Sequence, residues 1–229
     1  MQLIPAPRRL LPAVASAVLL LAGAGGAHAV TGTAGAHTAP SHAAPSHATP
    51  ARGTPSAATP AGEAAARSPY RQLRPLAALS AERAALGDLV AAAKWGTGAP
   101  IDDPAREQEV LDAVAAQATQ LGADPEATRR IFRDQIEASK VVQRGLYRLW
   151  TADPARAPRE RPDLAVVRTE INRVNVSLVR AVAASSGARS ARFCPVVLGA
   201  ATDGVRYEQR LDALHTRALG RAVRSVCGG

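Results

Sequence analysis

From residue 68 onward, hydrophobic residues recur every three or four positions, which is the spacing of one helix face. No segment shows the alternation of a half-buried strand, and no turn dipeptide marks a hairpin. The pattern therefore predicts an all-α bundle of about five to six helices. The predicted helices run from Ser68-Pro69 to about Trp95, from Asp103-Pro104 to about Gly122, from Asp124-Pro125 to about Trp150, from Asp163 to about Ser185, and near Arg206–Val226.

Polar side chains interrupt the apolar stripe of each of the first four predicted helices, where burial without partners costs free energy. Long cationic side chains can snorkel at the edge of a core, and this explains any one of them. The same feature in four helices instead favours a shared polar site. Because no carboxylate is interleaved in these stripes, the cations predict a ligand with several carboxylates or phosphates. The residues are Arg83, Lys94, Arg106, Gln117, Ser139, Gln143, Arg168 and Asn175.

Residues 1–29 are predicted to be a secretory signal. Arg8 and Arg9 precede a mostly apolar run that extends to Leu21, and Ala-His-Ala at 27–29 fits a cleavage site. The alternative is an uncleaved anchor, but the apolar run is shorter than the roughly 20 residues of a membrane span. We therefore expect a periplasmic or extracellular protein without stable membrane association after cleavage. The paired arginines leave the choice between Sec and twin-arginine export open.

Residues 30–67 are rich in Ala, Pro, Thr, Ser and Gly and lack hydrophobic periodicity, which predicts a disordered linker. His37, His42 and His47 lie in this segment and could bind a metal loosely. A low-complexity tract that contains histidine is the simpler interpretation, because nothing fixes their geometry. The folded domain is expected at residues 68–229, a common length for one domain.

The chain is strongly basic, with a formal net charge of +9 and a pI of about 10.8. Nucleic acid, anionic lipid and anionic small molecules are the partners that such a charge favours. Aromatic residues make up only 3% of the chain, which argues against single-stranded nucleic acid as the partner. We expect an anionic small molecule and no nucleic acid.

The chain has two cysteines, Cys194 and Cys227. In an exported protein an isolated pair predicts a disulfide, here between the last helix and the residues before it. A cysteine nucleophile is the alternative. His215 is the one histidine after residue 67, and nothing in the sequence places it next to either sulfur.

Three blocks of residues have a characteristic composition and spacing. They are Ile131-Phe132-Arg133-Asp134-Gln135-Ile136 with Ser139 and Gln143, Ile101-Asp102-Asp103-Pro104-Ala105-Arg106, and Pro162-Asp163-Leu164 with Arg168. These blocks resemble the secreted (gamma) subclass of the all-helical AroQ-type chorismate mutases. The resemblance covers essentially all of residues 68–229, and the two cysteines match the C-terminal disulfide of secreted members. It implies conversion of chorismate to prephenate by an intramolecular rearrangement.

The resemblance also implies a role for each matching residue. Three arginines, Arg83, Arg106 and Arg168, fall where the family holds the carboxylates of the substrate. Lys94 and Gln143 fall on the two residues that contact the ether oxygen of the breaking bond. Ser139 matches a carboxylate contact, and Glu107 matches a glutamate that some members place near the substrate hydroxyl.

By the same resemblance we expect a homodimer with a complete site in each protomer and no metal or other cofactor. The rearrangement breaks one C–O bond and forms one C–C bond within a single molecule, so it needs no nucleophile. The competing interpretation is an exported basic helical module that binds a dicarboxylate or a polyanion without chemistry.

Overall fold

The computed structural model describes residues 68–228, and this part of the chain forms helices and no strands, which confirms the all-α prediction. The predicted signal and linker lie outside the described residues. No helix in 68–228 is long and apolar enough to cross a membrane. The helices are α1 (Pro69–Lys94), α2 (Pro104–Gln120), α3 (Pro125–Ala152), α4 (Leu164–Ala184), α5 (Ser186–Ser190), α6 (Cys194–Glu208) and α7 (Ala213–Ala222), with a 3₁₀ turn at Pro154–Arg156.

Aspartate side chains begin four of these helices by accepting backbone hydrogen bonds, as helix N-caps do. Asp103 accepts from the N–H of Arg106 at 3.1 Å, and Asp163 accepts from that of Ala165 at 2.7 Å. Asp124 and Asp212 cap α3 and α7 in the same way. Ser68 is the N-cap of α1 and Pro69 its first residue, as predicted, although the Ser68 side chain makes no capping hydrogen bond.

Helix α1 lies at the centre of the bundle and packs against α3, α4, α6 and α7. Leu73, Leu76 and Phe132 have no exposed surface and lie in the core that these helices share. At Gly87 a Cβ atom would lie 3.0 Å from Cβ of Val142, so the glycine allows α1 to approach α3 closely. This approach brings polar residues of the two helices toward the same space.

The motif at residues 131–136 joins three helices. The Gln135 side chain donates to Ser80 Oγ of α1 at 2.7 Å and to the carbonyl oxygen of Ala222 of α7 at 3.1 Å. Asp134 forms an ion pair with Arg221 of α7. Through these contacts the block holds α3 against α1 and α7.

The C-terminal region differs from the sequence prediction in its helix boundaries. We expected a final helix near Arg206–Val226, but α6 ends at Glu208 and α7 begins at Ala213. Arg210 between them has a positive φ of 51°, which ends the helical path. This break and the five-residue α5 raise the number of α-helices in 68–228 to seven. The predicted disulfide is confirmed, and Cys194–Cys227 joins the start of α6 to the segment after α7.

His215 of α7 forms a charged contact between two helices. Its Nε2 lies 3.1 Å from Asp88 of α1, and its Nδ1 lies 2.9 Å from the capping residue Asp212. The hydrogen bond to Asp88, aided by Asp212 and opposed by burial, raises the pKa of His215 from 6.5 to about 9. The charged imidazole is therefore favoured in the folded protein.

We expect this contact to make stability depend on pH. Because the folded pKa is raised, the contribution is complete below about pH 6.5 and is lost as the pH rises through about 9. The side chains of Asp88 and Asp212 are 45% and 66% exposed, so solvent screening should reduce the contribution to about 2 kcal/mol, below the full value of the shift. Urea denaturation of the wild type and His215→Gln should give free energies of unfolding that differ near pH 6 and converge above pH 9. A constant difference would contradict the assignment.

Candidate active site

Helices α1, α2, α3 and α4 surround a cavity that is open to solvent. All seven predicted site residues line it. Helix α1 supplies two, α2 two, α3 two and α4 one. They are Arg83, Lys94, Arg106, Glu107, Ser139, Gln143 and Arg168.

Arg83 forms the inner part of the cavity and is only 5% exposed. Its Nε donates to Asn175 Oδ1 of α4 at 2.7 Å, and its Nη1 donates to the carbonyl oxygen of Gln135 at 2.8 Å. Burial lowers the pKa of Arg83 to about 10, which still leaves the guanidinium charged at neutral pH. The two bonds fix its planar fork from behind, an arrangement that suits recognition of a carboxylate. Asn175, which the sequence analysis had singled out as a polar residue in the α4 stripe, therefore orients Arg83.

Lys94 is the last residue of α1 and is 8% exposed. Its Nζ donates to the carbonyl oxygen of Pro100 at 2.8 Å, and within the described part of the chain this is its one hydrogen bond. An ammonium group has three N–H donors, so two remain for a ligand. Burial lowers the pKa of Lys94, and Arg168 lowers it further, while Asp103, Asp102 and Glu107 oppose this shift.

Arg106 and Arg168 lie at the mouth of the cavity and are more exposed than expected. Their side chains are 33% and 42% exposed. Arg106 pairs with Glu109 at 2.7 Å, and Arg168 lies 4.0 Å from Asp103. The expectation of an entirely buried cation cluster without carboxylates is therefore wrong. The apolar stripes could not reveal these two acidic partners, because Asp103 precedes α2 and Glu109 lies on the outer side of α2.

Gln143 and Ser139 lie one turn apart on α3. Gln143 is 4% exposed, and its Nε2 lies 3.2 Å from Ser139 Oγ. Its Oε1 is buried and has no hydrogen-bond partner in the described residues. Because a hydroxyl both donates and accepts, turning the amide by 180° would let Ser139 donate to Oε1. That orientation frees the Nε2 group as a donor.

Lys140 also lines the cavity, and the sequence analysis missed it. Its Nζ lies 2.9 Å from Glu107, 2.9 Å from Glu137 and 3.1 Å from Asp102. Burial disfavours its charge, but the three carboxylates outweigh this effect and raise the pKa of Lys140. The sequence did carry a signal for this residue. Lys140 lies four residues after Ile136 and three before Gln143, and this spacing places all three on one face of α3.

The lining carries a surplus of positive charge. Five cationic side chains, Arg83, Lys94, Arg106, Lys140 and Arg168, face two carboxylates, Asp103 and Glu107. The surplus of three charges favours a ligand with at least two negative charges. Within residues 68–228, no three His, Cys, Asp or Glu side chains are grouped so that they could hold a metal ion.

Comparisons with known proteins identify one family. The family model for chorismate mutase type II matches residues 74–144. The secreted chorismate mutase of Mycolicibacterium smegmatis is 36% identical over 155 residues, 68% of this chain and 86% of that protein. Its Mycobacterium tuberculosis counterpart is 33% identical over 156 residues, 68% of this chain and 78% of that protein.

Solved structures give the same result. The crystal structure of chorismate mutase from Burkholderia thailandensis superimposes with a TM-score of 0.65 and 38% sequence identity, covering 68% of this chain and 99% of that one. Sequence and fold thus agree, and the chain belongs to the secreted, AroQ-type chorismate mutases.

Proposed function

We propose that this protein converts chorismate to prephenate in the cavity between α1, α2, α3 and α4. One observation carries the proposal: cations and a buried amide from four helices line one cavity whose net charge is opposite to that of a dicarboxylate. The family relationship supports the same activity.

The reaction needs the substrate to fold so that the two carbon atoms to be joined lie close together. Arg83, Arg106 and Arg168 are proposed to bind its two carboxylates, with Ser139 as a further contact. Holding both carboxylates restricts the substrate to its reactive shape, which removes an entropic part of the barrier. The hydrogen bonds that Arg83 donates to Asn175 and to the Gln135 carbonyl oxygen keep its guanidinium in place while this happens.

The second part of the barrier is electrostatic. Negative charge builds on the ether oxygen as its C–O bond breaks, and preorganised donors stabilise that charge without reorganising. Lys94 has two N–H groups free for this purpose, and Gln143 provides a neutral donor once its amide is turned. Glu107 is proposed to accept a hydrogen bond from the substrate hydroxyl.

We further propose that the protein is exported by the signal at residues 1–29 and acts as a homodimer outside the cytoplasm. The relatives named as secreted enzymes support export. Since the residues proposed to bind the substrate all come from a single chain, each protomer would hold a complete site. Analytical ultracentrifugation of residues 30–229 tests the dimer, and a monomer at all concentrations would contradict it.

The activity is tested by following chorismate absorbance with purified residues 30–229. We expect first-order loss of chorismate and equimolar formation of prephenate, without added metal or cofactor. Binding of chorismate without turnover would contradict the proposal and would identify a binding module.

A further inference from the structure

Both lysines of the chain line the same cavity, although it has 28 basic residues in all. Lys94 and Lys140 differ in how their ammonium groups are used. Lys94 donates to one carbonyl oxygen, whereas Lys140 has a carboxylate in reach of each of its three N–H groups. No donor of Lys140 is left for a substrate atom, so this residue acts through its neighbours.

The closest neighbour of Lys140 in the cavity is Glu107, which lies across from it on α2. Nζ of Lys140 is 2.9 Å from the Glu107 carboxylate, and the backbone N–H of Asp103 donates to the same carboxylate at 3.2 Å. Lys140 is 8% exposed and the Glu107 side chain 26% exposed, so solvent screens this pair only partly. A carboxylate held in this way has a fixed direction and a neutralised charge.

Without Lys140, Glu107 would be an uncompensated negative charge in a cavity that binds a dianion. The positive surplus of the lining would fall from three charges to two, and Glu107 would be free to pair with an arginine meant for substrate. Either effect weakens binding of a dicarboxylate.

We propose that Lys140 is a positioning residue that neutralises and orients Glu107, so that a carboxylate can line the cavity of a dicarboxylate-binding enzyme. The inference rests on the proposed function, since it concerns the same cavity and substrate. It predicts that the effect of Lys140 on substrate binding depends on the charge at position 107.

The test is a double-mutant cycle with Lys140→Met and Glu107→Gln. In the presence of Glu107, Lys140→Met should raise KM for chorismate about tenfold and change kcat less than about threefold. In the Glu107→Gln background, the same change should alter KM less than about threefold. Lys140→Arg, which keeps the charge, should retain most of the wild-type affinity.

Arg144→Met is the matched control. Arg144 also binds Asp102, at 2.8 Å, but it contacts neither Glu107 nor the cavity. If Lys140 acted only by anchoring the loop through Asp102, Arg144→Met would raise KM to a similar extent, and the proposal would be overturned. Equal effects of Lys140→Met in both backgrounds would also overturn it.

Titration calorimetry measures the Kd of prephenate for the wild type and for each variant. The same double-mutant cycle can then be calculated from binding alone, without turnover. A wild type without chorismate turnover would refute the proposed function. If the wild type converts chorismate but the effects of the substitutions at positions 107 and 140 on KM and Kd are independent of each other, this inference alone is refuted. Circular dichroism of each variant identifies loss of the fold.

Discussion

Replacing Lys94 by alanine is expected to lower kcat/KM for chorismate about a thousandfold while helical content stays unchanged. Lys94 is the one cation of the lining, among the described residues, with an ammonium that is both buried and largely unpaired. Because Lys94 is itself buried, its charge is less screened by water and stabilises the developing charge on the ether oxygen more than a surface charge could. Most of the loss should therefore appear in kcat.

Arg71→Ala is the control for this change. Arg71 lies on the same helix and is exposed, so its loss removes one positive charge without touching the cavity. We expect wild-type kinetics for it. A Lys94→Ala enzyme that kept more than about a tenth of wild-type kcat/KM would contradict the role of Lys94.

Replacing Gln143 by glutamate is expected to make the reaction strongly dependent on pH. An amide donates a hydrogen bond at any pH, so the wild-type rate should be nearly flat from about pH 5 to about pH 8. A carboxyl group donates only while protonated. In Gln143→Glu, kcat/KM should therefore fall about tenfold per pH unit above the pKa of the new carboxyl.

Gln143→Met separates this effect from a loss of packing. Methionine has a similar volume and no donor, so kcat/KM should be low and flat across the same pH range. Because burial lowers the pKa of Lys94, wild-type activity should decline on the alkaline side as that ammonium loses its proton. A flat profile for Gln143→Glu would contradict the assignment of Gln143.

The sequence predicted the helices well where a local signal marked their ends. Asp103, Asp124 and Asp163 cap helices in the structure, as the sequence suggested. The break between α6 and α7 was missed, although Asp212 caps α7 as the other aspartates cap their helices. No glycine or proline marks it, and Arg210 adopts a positive φ instead.

Six polar residues of the cavity were predictable because each one interrupts an apolar stripe, whereas Glu107 was predicted only from the family resemblance and Lys140 was missed. The six are Arg83, Lys94, Arg106, Ser139, Gln143 and Arg168. Their partners were not, since these come from other parts of the chain. Lys140 shows this clearly: its contacts with Asp102 and Glu107 span 38 and 33 residues, and helical periodicity carries no information over such distances. The same holds for Asn175, whose contact with Arg83 depends on how α4 packs against α1.

The central claim is tested most directly by a crystal structure with a bicyclic dicarboxylate that mimics the transition state, since such analogues bind much more tightly than substrates. We predict that its two carboxylates contact Arg83, Arg106 and Arg168, and that its ether oxygen lies between Lys94 Nζ and Gln143 Nε2. A tightly bound analogue outside this cavity, or one whose ether oxygen contacts neither Lys94 nor Gln143, would contradict the account.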